Sequence, residues 1–83
     1  MTVDELVKIN NEKRKLLTEE NEKYYTDMLL YIRMQWRLSE KQSEELLLEL
    51  LDHLLDAQAE NKTAKDVFGD NAYQYAHELI EEI

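Results

Sequence analysis

The chain has no cysteine, no proline and one glycine, Gly69. Without cysteine, neither a disulfide nor a thiolate metal site can support a small core, and the absence fits a reducing cytoplasm. The tight turns of a small β-protein draw on Gly, Pro and Asn, so the scarcity of the first two argues against strands. A single glycine also cannot build a glycine-rich phosphate loop. Long apolar runs are missing: Leu46 to Leu55 is the richest, and Glu49, Asp52 and His53 interrupt it. It falls far short of the roughly 20 residues that a transmembrane helix needs. Met1 to Leu17 lacks the apolar centre of a signal peptide.

Leu, Glu, Lys, Gln and Ala dominate what is present, and these residues favour helix. At 83 residues there is room for one domain, 1–83, with a modest core. Capping patterns set out the elements. Thr2 with Glu5 and Ser39 with Gln42 read as capping boxes, while Thr18, Thr63 and Asp70 are further candidate N-caps. Helices are expected near 3–16, 19–36, 40–60, 64–68 and 71–82, and the first two could be one long or kinked helix. Gly69 falls between two short elements, where a positive φ suits glycine.

Apolar spacing supplies the packing. Tyr25, Met28, Leu29, Ile32 and Trp36 recur at helical steps, as do Leu47, Leu50, Leu51 and Leu54. Burying one such leucine contributes roughly 2 kcal/mol, so the two stripes facing each other in an antiparallel hairpin can anchor the fold. The aromatics have two readings: an exposed binding surface, or Tyr25 and Trp36 in the core with Tyr24 and Tyr31 at its margin. The second is expected. Arg33 and Arg37 are the cations placed to hold acids of the third helix. Val67, Phe68, Tyr73, Ala76 and Ile80 close the core, around which residues 18–83 form the body. The first helix has only a partial apolar face (Val3, Leu6, Val7, Ile9), so residues 1–17 are expected to be peripheral, projecting or docking onto another molecule. Leu79, Ile80 and Ile83 keep the apolar spacing to the last residue, the pattern of a helix that continues into more chain.

The formal charge is −9 and unevenly placed. Residues 39 to 60 carry seven anions against Lys41 alone, whereas Lys8, Lys13, Arg14 and Lys15 outweigh three anions in residues 1 to 17. Such a surface repels phosphate backbones and anionic lipid, and it complements a basic protein partner. Glu45, Glu49, Asp52, His53 and Asp56 make up the candidate interaction surface; Trp36, Ser39, Gly69 and Asp70 are assigned structural roles. Glu49, His53 and Asp56 share a helical face with metal-capable spacing, but a lone histidine among carboxylates is more simply a solvated face. His77 with Glu81 is an i, i+4 surface pair. No nucleophile, acid–base pair or cofactor loop can be singled out. The expectation is a domain without catalytic residues, metal or cofactor that binds another protein; the alternative is a self-associating structural domain.

The segments LTEENEKYYTDMLLYIR (17–33), LLLELLDHLLDAQAENKTAKDVFGD (46–70) and AYQYAHELIEEI (72–83) resemble helical domains of unknown function from Gram-positive bacteria, related to HAAS-type signalling modules. DHLLDAQ, the KTA of Lys62 to Ala64 and VFGD are the most specific parts. Asn61 stands where such modules commonly have glycine, which implies a differently capped turn. The resemblance implies an all-α fold of four to five helices arranged as a left-handed superhelix. It also implies a cytoplasmic setting: part of a membrane protein whose spanning helices follow, or a small protein accompanying a transcriptional regulator of the PadR type. It brings no catalytic residue.

Overall fold

Five helices form where side chains satisfy the free N–H groups of their first turns. The computed structural model describes all residues, 1–83, as α1 (Val3–Arg14), α2 (Glu19–Arg33), α3 (Glu40–Ala59), α4 (Ala64–Phe68) and α5 (Ala72–Glu81). Thr2, Thr18, Ser39 and Thr63 accept from the third residue of the helix that each precedes. Capping boxes close at Thr2–Glu5, Ser39–Gln42 and Thr63–Asp66. The fifth cap is Asn71, whose side chain accepts from Gln74 N. The expected cap Asp70 lies one residue too early, in the bend before the helix.

Two helix ends need special backbone. At the end of α3, Asn61 takes φ 64°, a left-handed conformation that asparagine tolerates better than most residues. Lys62 N then donates to Ala57 O and Asn61 N to Gln58 O, the paired bonds of a Schellman turn. Asparagine thus performs there the task that glycine performs at many helix ends. Gly69 closes α4 at φ 94°, ψ 177°, a region essentially restricted to glycine.

α2 and α3 are an antiparallel hairpin, as the cross-links show: Arg33 meets Glu44 near the turn, Tyr25 meets Leu47, and Asn21 meets Gln58 at the far end. Tyr25, Met28, Leu29 and Ile32 face Leu47, Leu50, Leu51 and Leu54 in one core, completed by Ala64, Phe68, Ala72, Ala76 and Ile80. α5 runs alongside α2, with Tyr31 against His77 and Arg37 against Glu81. The domain measures 33 × 26 × 16 Å. Its thin dimension is about one and a half helix diameters, so most helices keep one face on solvent.

Several expectations are corrected; among them Tyr73, expected to close the core, is 49% exposed on α5. Of the two readings of the first elements, separate helices hold, because turns at Lys15–Leu17 interrupt them. α1 does not project: it lies on α3 with Leu6 and Asn10 buried. Tyr25 ties it down, its hydroxyl meeting both the Asn10 side chain and the Leu47 carbonyl, with Arg14 over its ring. Tyr24 is buried rather than marginal; its ring stacks on Phe68 and its hydroxyl donates to Gly69 O. Trp36 is not core. α2 ends at Arg33, three residues short of it, so Trp36 leaves the helical register and is 89% exposed.

Candidate functional site

The long third helix presents two opposed faces. Leu47, Leu50, Leu51 and Leu54 enter the core, and the acidic side chains from Glu45 to Asp56 turn outward. Glu45, Glu49, Asp52 and Asp56, spaced at four, three and four residues, all fall on the exposed side together with His53. Residues so spaced are neighbours on a helix, and each like-charged i, i+4 pair costs about 0.2–0.5 kcal/mol. Lys13 of α1 reaches Asp52 at 2.6 Å, with both side chains well exposed. Glu45, Glu49 and Asp56 have no cationic partner. A row of like charges is therefore held on a rigid helix with one neutralising contact.

Beside that row runs a groove of about 620 Å³. Met1, Leu6, Leu46, Leu48 and Ile83 give it an apolar lining, and Glu45, Glu49 and Asp52 give it acidic walls. α1 and α3 form its sides, so the docking of α1 creates the groove. An apolar floor beside carboxylates fits an amphipathic, cationic segment in chemistry.

His53 lies at the edge of this face, its ring tilted against Phe68 at 5.9 Å. It does not converge with Glu49 and Asp56: no three His, Asp or Glu side chains come together to hold a metal ion. His77 faces α2 rather than α3. Its Nδ1 is 2.6 Å from the Tyr31 hydroxyl, and its Nε2 is 3.9 Å from Glu81. The two histidines are thus committed to different neighbours.

Ion pairs hold the ends of the site's scaffold. Arg33 grips Glu44 with two parallel bonds of 2.8 and 2.9 Å, the geometry in which guanidinium and carboxylate match best. Those bonds push the Arg33 guanidinium above its ordinary value. Arg37 bonds Glu81 of α5 at 3.2 Å rather than an acid of α3. Glu22 accepts from Thr26 and Arg14, which hold its carboxyl below the usual carboxylate range. Burial pushes the Tyr25 hydroxyl far up, so it stays a neutral hydrogen-bonding group.

A second hollow, of about 470 Å³, lies where α2, α4 and α5 meet. Lys23 and Lys65 oppose Glu20, Asp27 and Asp70 there, and no single sign prevails. Tyr73 lines it too, its hydroxyl raised by the neighbouring Asp27 charge.

Sequence reasoning missed two buried asparagines that position these elements. Asn21 donates to Gln58 and accepts from Ala64 N, joining α2 to the start of α4. Gln58 also takes Thr18 N and gives to Leu16 O, which fixes the α1–α2 turn. The only signal for either was a polar residue at a core-facing register position. No helix is long and apolar enough to cross a membrane. Comparison with protein-family models, with curated proteins and with solved structures gave no match to this chain.

Proposed function

We propose that this chain is a non-catalytic protein-interaction module that receives a basic, amphipathic segment of its partner on the acidic face of α3. One observation carries the reading: Glu45, Glu49, Asp52 and Asp56 line one exposed face beside an apolar groove, and only Asp52 has a cation of its own. Within the domain only Lys13 relieves the repulsion along that row, at Asp52; a cationic partner would relieve the rest. Leu46 and Leu48 supply apolar area, while the carboxylates supply orientation and on-rate. His53 borders the surface and takes no chemical role in it.

The setting that the family resemblance implies fits this reading. The domain would act in the cytoplasm, beside basic segments of a membrane protein or of a PadR-type transcriptional regulator. Nucleic acid and lipid are not its targets, because the same charges repel phosphate.

The test is calorimetric titration with a helical Lys/Leu amphipathic peptide, with its Glu/Leu counterpart as control. Selective binding of the basic peptide that weakens with salt and disappears in Glu45→Lys/Glu49→Lys supports the assignment. Equal affinity for both peptides, or undiminished binding by the charge-reversed variant, refutes it.

A further inference from the structure

The acidic row is not uniform along its length. Within the groove α3 presents Gln42, Glu45, Glu49 and Asp52, at steps of three, four and three residues. Gln42 is neutral, and its side-chain oxygen accepts from Ser39 N at 3.0 Å. Asp52 is neutralised by the Lys13 ammonium at 2.6 Å. Asp56 falls outside the groove, in a hollow shared with His53, Glu60 and Lys62. Lys41, four residues before Glu45, neither pairs with it nor lines the groove, and the terminal charges of Met1 and Ile83 enter no ion pair. Glu45 and Glu49, about one helical turn apart, are thus the open carboxylate pair of the groove, with a neutral position on either side.

The packing of α1 delivers Lys13 to its acid. α1 runs parallel to α3: Val7 lines a hollow with Ser43, Tyr25 joins Asn10 to Leu47, Lys13 meets Asp52, and Leu16 O accepts from Gln58. The buried Asn10 lies three residues before Lys13, on the same helical face. Resting on the docking site proposed above, we infer that Lys13 determines the charge pattern of the segment received there: two cations at i and i+4 for Glu45 and Glu49, and a neutral residue three places further on, beside Asp52. A cation at that third place has to share Asp52 with Lys13. It either displaces the ammonium, exchanging one exposed ion pair for another of similar strength, or stands beside it as a like charge. Neither outcome adds affinity, so Lys13 discriminates against a longer cationic stretch by occupying its place. Steps of three, four and three residues read the same in both directions, and the rule therefore holds for a partner helix of either polarity.

Two helical Lys/Leu peptides test the rule. One carries four lysines at steps of three, four and three residues; in the other the outer two are glutamine. Calorimetric titration at physiological ionic strength gives the ratio of their affinities for each variant of the 83-residue chain, and that ratio removes the diffuse attraction of any cation to an acidic domain. Lys13→Met should raise the ratio in favour of the four-lysine peptide about two- to fivefold over the parent, the worth of one exposed ion pair. Lys15→Met, which removes a cation of the same segment away from the groove, should leave the ratio at the parent value. Adding Asp52→Asn to Lys13→Met should abolish the rise. A ratio unchanged by Lys13→Met, a rise matched by Lys15→Met, or a rise that survives Asp52→Asn overturns the role of Lys13 while the docking site stands. Binding of neither peptide by the parent or by Lys13→Met refutes the docking site and the rule together.

Discussion

The contact among Asn10, Tyr25 and Leu47 makes an unequal demand on its members, and mutation can expose that inequality. Asn10 and Tyr25 are both fully buried. The Tyr25 hydroxyl has one proton and stands against two acceptors, the Asn10 side-chain oxygen and the Leu47 carbonyl, the latter at 3.1 Å. The Asn10 amide nitrogen has no partner at all. Tyr25→Phe removes the group that serves Asn10 and strands its whole amide in the interior. An abandoned buried polar group costs about 1–3 kcal/mol. For a domain this small, each kcal/mol lowers the melting temperature by about 4–8 °C.

Asn10→Leu acts in the opposite sense. It deletes an amide whose donors are already unmet, leaves Tyr25 its Leu47 carbonyl and adds apolar contact between α1 and α3. Its expected effect lies within about 1 kcal/mol of zero, because leucine and asparagine have comparable reach and the transfer gain offsets imperfect packing. Asn10→Leu/Tyr25→Phe, with no stranded group, should lie close to the parent. The double variant is thus more stable than the sum of the singles by about 1–3 kcal/mol. Urea unfolding followed by far-ultraviolet circular dichroism measures this; Trp36 emission is a poor probe, since the ring is already exposed in the folded state. Additive effects, or Asn10→Leu costing as much as Tyr25→Phe, would refute the reasoning.

Three further outcomes are expected. Gly69→Ala should cost about 1–3 kcal/mol through backbone strain alone, since an added Cβ meets nothing within 4 Å; Asn61→Ala should cost about 1 kcal/mol and Asn61→Gly almost nothing, all by urea titration. Arg33→Met leaves the Glu44 carboxylate buried without its partner, a loss of about 2 kcal/mol once the partial exposure of Arg33 is allowed for; Glu44→Leu in the same chain should recover most of it. Glu22 has a folded pKa below its ordinary 4.5, so its contribution is present above that value and lost as pH falls through the folded one. Melting temperature should therefore decline on acidification below about pH 4.5, and Glu22→Gln should flatten the decline; an unchanged slope would mean that Arg14 and Thr26 contribute nothing.

The helix starts were legible because capping is local: a hydroxyl or amide and the residue three ahead decide it. The leucine face of α3 was legible for a similar reason, since spacing alone places a residue on a helix. The end of α2 was not. Tyr25 through Ile32 set a register that continues to Trp36 on paper, and no glycine or proline marks the stop at Arg33. The stop coincides with a long-range contact that spacing does not reveal: Arg33 is clamped to Glu44, and beyond it the chain turns toward the Ser39 cap. The burial of Asn10 and Asn21 was hidden too, because their partners lie 15 to 43 residues away. Arg37 was expected on the helix of Arg33 and against an acid of α3, but it lies in the turn beyond α2 and bonds Glu81, since sequence does not say that α5 runs beside α2. The acidic row of the candidate surface was visible as a pattern. Its groove was not, because it exists only once α1 lies on α3.

That dependence bears on the proposed interaction. The apolar face of α1, which in isolation suggests a free sticky segment, docks on α3 instead and contributes Leu6 to the groove wall. Leu6 is buried in the contact and lines the groove, while Lys13 neutralises one of the four acids at its far end. A surface assembled from two packed helices needs little ordering when a partner arrives, so more of the contact energy remains as affinity. Had α1 been mobile, an incoming basic helix would have had to displace or order it first. The electrostatic cost of the acidic row is borne by α3, whose opposite face is anchored by Leu47, Leu50, Leu51 and Leu54 in the core. Placing mutually repelling carboxylates on a helix anchored in the core keeps them at fixed spacing, and fixed spacing is what lets a row of charges distinguish a basic helix from an isolated cation.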